Sequence, residues 1–226
     1  MDATDHCLDL IKRQDEDLYL SIGYASKGDR ARLAALFALQ AELRRIPEIV
    51  SEAPLGEIRL AWWREALDEA AGEGKIRAHP TVEALRHSGA MKRAGARALA
   101  ERLVDARARL LYGEAFSSAG EFEAFLSDAE VPLALLALGA APAAKIDAVR
   151  RHAEDYALAR FAPVLAPNVA QSDQPAARER LKLDPNEAGS LAYLALARGY
   201  RRRTDGRPWP IGKRLALFRA IVSGAV

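Results

Sequence analysis

Alanine and leucine dominate this chain: 47 Ala and 30 Leu stand against 9 Val, 9 Ile and 3 Thr. Small and straight-chain residues lose little freedom in a helix, whereas the β-branched residues that favour strands are scarce. The expected class is therefore all-α. With 226 residues, half of them apolar and 28% charged, the chain can bury a full core, which excludes disorder as a description of the whole. No internal repeat or low-complexity linker divides it, and a single helical domain over 1–226 with a ragged amino terminus is expected.

The 33 basic and 31 acidic residues leave a formal charge of +2, which argues against nucleic acid as a partner recognised by bulk electrostatics. Cys7 is the one cysteine, so neither a disulfide framework nor a thiolate zinc cluster can form, and an intracellular setting is expected. Asp2, Asp5 and Asp9 fall where a secretory signal would carry a basic start and an apolar stretch. The longest uncharged run, Val131 to Ala144, has 14 residues and two prolines, too short for a spanning helix and suited to a buried helix or cavity wall.

Leu33, Leu36, Phe37, Leu43 and Ile46 recur at helical spacing between Asp29 and Val50, with a kink or stop expected at Pro47. Pro54 opens a second helix with Leu55, Ile58, Trp62 and Leu67 on its apolar stripe, ending at Gly72 or Gly74. Further helices are expected from Pro80 to Arg86, Met91 to Leu111, Glu121 to Leu138, Lys145 to Leu165, Asn186 to Arg202 and Ile211 to Val222. A proline-rich loop between Pro163 and Pro185, containing Gln171-Ser172-Asp173-Gln174, separates the last two from what precedes.

The histidines His6, His79, His87 and His152 lack ligand spacing, and His79 before Pro80 reads as a turn residue at a helix start. No nucleophile elbow or glycine-rich phosphate loop is present. Near the carboxyl end Arg198, Arg201, Arg202, Arg203, Arg207, Lys213 and Arg214 surround Pro208-Trp209-Pro210. Cations suit a helix carboxyl terminus, and the same cluster could meet anionic lipid headgroups with Trp209 at the interface.

Arg30, the run Ala35-Leu36-Phe37-Ala38-Leu39-Gln40, Glu42, Ser51-Glu52, Gly56-Glu57-Ile58-Arg59-Leu60-Ala61-Trp62-Trp63-Arg64 and His79-Pro80 together resemble the squalene/phytoene synthase family. The likeness is strongest from Arg30 to Leu85, and within the family it leans to the branch of synthase-like proteins that includes a respiratory complex I assembly factor. It implies an isoprenoid-synthase bundle around an apolar cavity. In active members two Asp-x-x-x-Asp motifs hold Mg²⁺ on a prenyl diphosphate, since residues four apart share a helix face and can share a hard cation. By the same resemblance Arg30, Gln40 and Arg44 are candidate substrate-binding residues.

Both motifs are altered here. Pro47 and Ser51 stand at the first pair of aspartates, and in Arg160-Phe161-Ala162-Pro163-Val164-Leu165-Ala166-Pro167-Asn168-Val169-Ala170-Gln171 the second pair becomes Pro167 and Gln171. Glu48 and Glu52 keep the spacing but lie about 100° round the helix, on a solvated face. No catalytic or metal residue is therefore assigned and no cofactor is expected, Mg²⁺ entering only under the alternative of a head-to-head prenyl transferase.

The expectation is a pseudoenzyme acting as a binding or assembly factor, with respiratory complex I assembly implied by the resemblance. Its partners would be an assembly protein, an isoprenoid or lipid ligand and an anionic membrane surface, at a cytoplasmic, membrane-peripheral location. Arg59, Trp63, Arg202, Arg203 and Trp209 are the candidate partner-binding residues. Of the two adjacent tryptophans, Trp62 is expected in the core and Trp63 half-exposed, since neighbours on a helix point about 100° apart.

Overall fold

The computed structural model describes residues 2–167, 180–202 and 210–226. The chain folds as α1 (Ala3–Gln14), α2 (Glu16–Ile22), α3 (Arg30–Ile49), α4 (Ala53–Ala71), α5 (Pro80–His87), α6 (Ala96–Ala108), α7 (Ala119–Ala129), α8 (Val131–Leu138) and α9 (Ala143–Leu165). A run of short 3₁₀ and α turns follows from Pro185 to Arg201, including α10 (Ala188–Leu191) and α11 (Ala197–Arg201), and α12 (Pro210–Ser223) comes last. The extended pairing among the described residues is a single antiparallel bridge between Lys182 and Ala225. This is the all-α class that the composition implies.

Helix α3 is the axis. Every residue from Arg32 to Ala41 is buried, because α3 packs against α1, α4, α5, α6 and α8 and so has no solvent face over that length. Its alanines let neighbouring helices approach while Leu33, Leu36, Phe37, Leu39 and Leu43 supply the apolar area. Pro47 does not stop the helix at Ile46; it is carried in the last turn, and α3 ends at Ile49. One apolar core runs from Cys7 in α1 to Leu217 in α12, and a second, built on Phe116, Phe122 and Phe125, sits beneath α7 and the end of α9.

Several expectations are corrected. The amino terminus is not ragged: Asp2 accepts a hydrogen bond from the Asp5 amide at 2.8 Å, capping α1, and Cys7, Leu10 and Ile11 are buried. The apolar stripe of α4 is Gly56, Leu60, Trp63, Leu67 and Ala70, while Leu55 and Ile58 face solvent. That rotation of about 100° exchanges the tryptophans. The helix expected over Met91 to Leu111 is confined to α6, and the one over Glu121 to Leu138 breaks at Glu130, where Pro132 opens α8. The segment expected as one helix from Asn186 to Arg202 is interrupted by 3₁₀ turns. The Gln171 to Gln174 loop lies outside the described residues.

Candidate functional site

Gln40 and Arg44 sit one turn apart on α3 and point toward the α7/α8 break. Gln40 Nε2 donates to the Ala129 carbonyl and to Glu130 Oε2, both at 2.9 Å. Arg107 of α6 reaches the same place, donating to the Ala129 carbonyl at 2.8 Å and to Glu130 Oε1 at 2.9 Å. The guanidinium of Arg44 pairs with Glu130 on one side and with Asp15 on the other. The break between α7 and α8 thus has a chemical reason: it turns a carboxylate inward, where three donors converge on it.

Asp15 occupies the junction of α1 and α2, ending one helix and capping the next by accepting the Leu18 amide at 3.2 Å. Arg160 of α9 donates to both of its oxygens, at 3.0 and 3.1 Å, and lies 3.3 Å from Asp17. Tyr156 and Tyr200 donate their hydroxyls to Asp17 at 2.7 and 2.6 Å. Lys213 of α12 completes the set, 2.8 Å from Asp17 and from Glu16. The ring of Phe161 adjoins both guanidinium groups, 4.9 Å from that of Arg44 and 5.0 Å from that of Arg160.

Burial works against the charge on Asp15, yet Arg160 and Arg44 outweigh it and hold the carboxyl at about 2, from an ordinary 3.8. Glu130 is lowered in the same way: burial opposes its charge, and Arg44 and Arg107 more than offset that. Burial drives the Tyr156 phenol well above its ordinary value, so it stays protonated and donates. At neutral pH the network is made of ionised pairs with neutral tyrosines between them.

Magnesium does not fit these residues. Pro47, Ser51 and Pro167 offer no carboxylate, Glu48 and Glu52 are exposed, and Gln171 lies outside the described residues. Asp15, Asp17 and Glu130, which do face the interior here, are engaged by Arg44, Arg107, Arg160 and Lys213. Among the described residues no three His, Cys, Asp or Glu side chains converge as a metal site. Asp155 of α9 pairs with Arg201 of α11.

The other predicted site residues separate. Arg30 is exposed at the start of α3, away from the turn that carries Gln40 and Arg44. Arg59 and Arg202 are exposed, whereas Arg203 and Trp209 lie outside the described residues. Trp63 is a correction: it is 5% exposed, part of the core, so it is not a surface for a partner. Trp62 is the half-buried one, with Arg77 stacked 4.7 Å from its ring. Both rings meet His79, the residue that precedes α5, edge-on at 5.4 and 5.3 Å. At Gly56 the Leu111 side chain packs against the bare backbone, and a Cβ there would fall 2.3 Å from a Leu111 methyl carbon, forcing that side chain to shift. Arg64 pairs with Asp105 of α6 at 2.7 Å.

Sequence reasoning missed Asp15, Asp17, Arg107, Glu130 and Tyr156. The signals were thin: an Asp-Glu-Asp run beside Tyr19, and a Glu immediately before Val131-Pro132.

Comparison with known proteins agrees with the retained α3 and α4 segments. The chain is 25% identical over 136 residues to NADH dehydrogenase (ubiquinone) complex I, assembly factor 6, of Bos taurus, and 27% identical over 137 residues to the protein of that name from Rattus norvegicus. Each match covers 59% of this chain and 39% of the relative. The squalene/phytoene synthase family model matches residues 11–160, a stretch that runs from α1 to the arginine of α9 that grips Asp15. This protein therefore belongs to the squalene/phytoene synthase family.

Proposed function

We propose that this protein is a non-catalytic family member that serves as a binding or assembly factor, with respiratory complex I as its target and a protein of that assembly as its partner. One observation carries the reading: Pro47, Ser51 and Pro167 stand where the family's aspartates would hold magnesium, and the nearby arginines are already engaged, Arg44 by Asp15 and Glu130 and Arg160 by Asp15 and Asp17. A diphosphate would have to displace buried carboxylates to reach those arginines, without a metal to neutralise it. Ionising an allylic diphosphate requires that neutralisation, which in metal-dependent chemistry is among the largest stabilising contributions. The protein is accordingly proposed to work without a divalent cofactor. The likeness to assembly factor 6 supplies the target, and the continuous core from α1 to α12 supports its acting as one unit.

The working location in this reading is the cytoplasmic side of the membrane, where the protein is peripheral. No helix among the described residues is long and apolar enough to cross a bilayer. The experiment is deletion of the gene in its host, followed by native-gel quantification of assembled complex I and by a prenyl-diphosphate turnover assay on the purified protein with Mg²⁺. Loss of assembled complex without turnover supports the proposal. Turnover, or normal assembly after deletion, contradicts it. An isoprenoid in the lipid extract of the inactive protein would mark a ligand retained without its chemistry.

A further inference from the structure

Helix α12 has two apolar faces. The inner one carries Leu217 and Ala220, both buried, and Lys213, whose ammonium group is held by Glu16 and Asp17 of α2. The outer one carries Ile211, Leu215, Phe218 and Val222, at steps of four, three and four residues, which fall within a narrow stripe. These four are 60, 46, 56 and 69% exposed. Scattered exposed apolar residues are ordinary, but four in register along three turns of one helix are not.

The margins of the stripe indicate what covers it. Arg214 and Arg219, both exposed, lie on opposite flanks, each about 70° from its centre line, and positions 210–226 contain no Asp or Glu. Two arginines bracketing an apolar stripe can keep their heads at phosphate level while their stems follow the apolar surface inward. Arg198 of α11 and Arg202, just past its end, add exposed cations on the neighbouring element. The nearest acidic groups from the packed elements, Glu16 and Asp17, are occupied by Lys213.

We infer that the outer face of α12 lies in the headgroup region of an anionic bilayer, with Ile211, Leu215, Phe218 and Val222 inserted and Arg214 and Arg219 on lipid phosphates. This rests on the peripheral-membrane part of the proposed function and deepens it by naming the element and the lipid class. The inner face pins α12 to the body, so insertion orients the whole protein.

The test is flotation of the full chain with phosphatidylcholine vesicles, with and without phosphatidylglycerol. Binding should require the anionic lipid and fall as salt rises. Phe218→Glu should reduce binding at least about tenfold, and Arg214→Ala and Arg219→Ala about fivefold each on anionic vesicles only. All three side chains are exposed, so melting temperatures should be unchanged, which separates lost binding from lost folding. Equal binding by wild type and Phe218→Glu would overturn the inference. So would absence of vesicle binding, or a dimer that Phe218→Glu dissolves, since the stripe would then face a second copy. Failure here with complex I assembly still dependent on the gene would leave the assembly role standing; vesicle binding with assembly unaffected would do the reverse.

Discussion

Arg44 holds Asp15 and Glu130 at once while stacking on Phe161. Removing it leaves two buried carboxylates short of a counter-charge, a loss that costs about 3–5 kcal/mol when one partner of a buried pair is deleted. Arg44→Met is expected to lower stability by that amount in urea unfolding. Asp15→Asn combined with Arg44→Met should cost less than the sum of the single changes, because the two side chains interact directly. At the tryptophan pair, Trp63→Ala should cost about 3–5 kcal/mol through lost burial and the cavity left behind. Trp62→Ala should cost roughly 1–2 kcal/mol, the loss of a half-buried ring and its Arg77 stack. Thermal melts of the two variants measure the difference; equal losses would contradict the burial assignment.

At the scale of elements, helix existence was legible and helix register was not. The abundance of Ala and Leu makes nearly any window helix-competent, so periodicity finds α3, α4 and α9, yet on α4 it admits two stripes one residue apart. The stripe that turns inward includes Gly56, whose missing side chain lets Leu111 approach, and a sequence pattern scores glycine as silent. The polar network was illegible for a related reason. Gln40 and Arg44 came forward through the family resemblance, but Asp15, Arg107, Glu130 and Arg160 meet from four elements far apart in sequence, and no local spacing announces a carboxylate that long-range packing buries. Close helix approach also gives a testable contact where the chain near α10 crosses that after α2. The Cβ of an alanine at Gly189 would lie 2.4 Å from the Ala25 Cα, against backbone that cannot swing aside. Gly189→Ala should therefore destabilise by about 1–3 kcal/mol, as overpacking does, and a melting curve checks it.

For the whole molecule, the ionised network links stability to acid. Asp15 titrates at about 2 in the folded chain against an ordinary 3.8, so the unfolded chain takes up the proton first. Its contribution is complete above about pH 4 and is lost as the pH falls toward 2, and Glu130, also lowered, acts in the same direction. Urea midpoints should hold steady near pH 6 and drop steeply below roughly pH 4, with the drop reduced in Asp15→Asn. The same network is the ground for reading the protein as non-catalytic, and ligand linkage tests that most directly. A ligand at about 100 times its dissociation constant adds about 2.7 kcal/mol, which in a chain of this size raises the melting temperature by roughly 5–10 °C. Melting the protein with millimolar Mg²⁺ and a prenyl diphosphate, together and separately, should leave that temperature unchanged; a rise that requires both would place a working metal-diphosphate site in this fold and contradict the account.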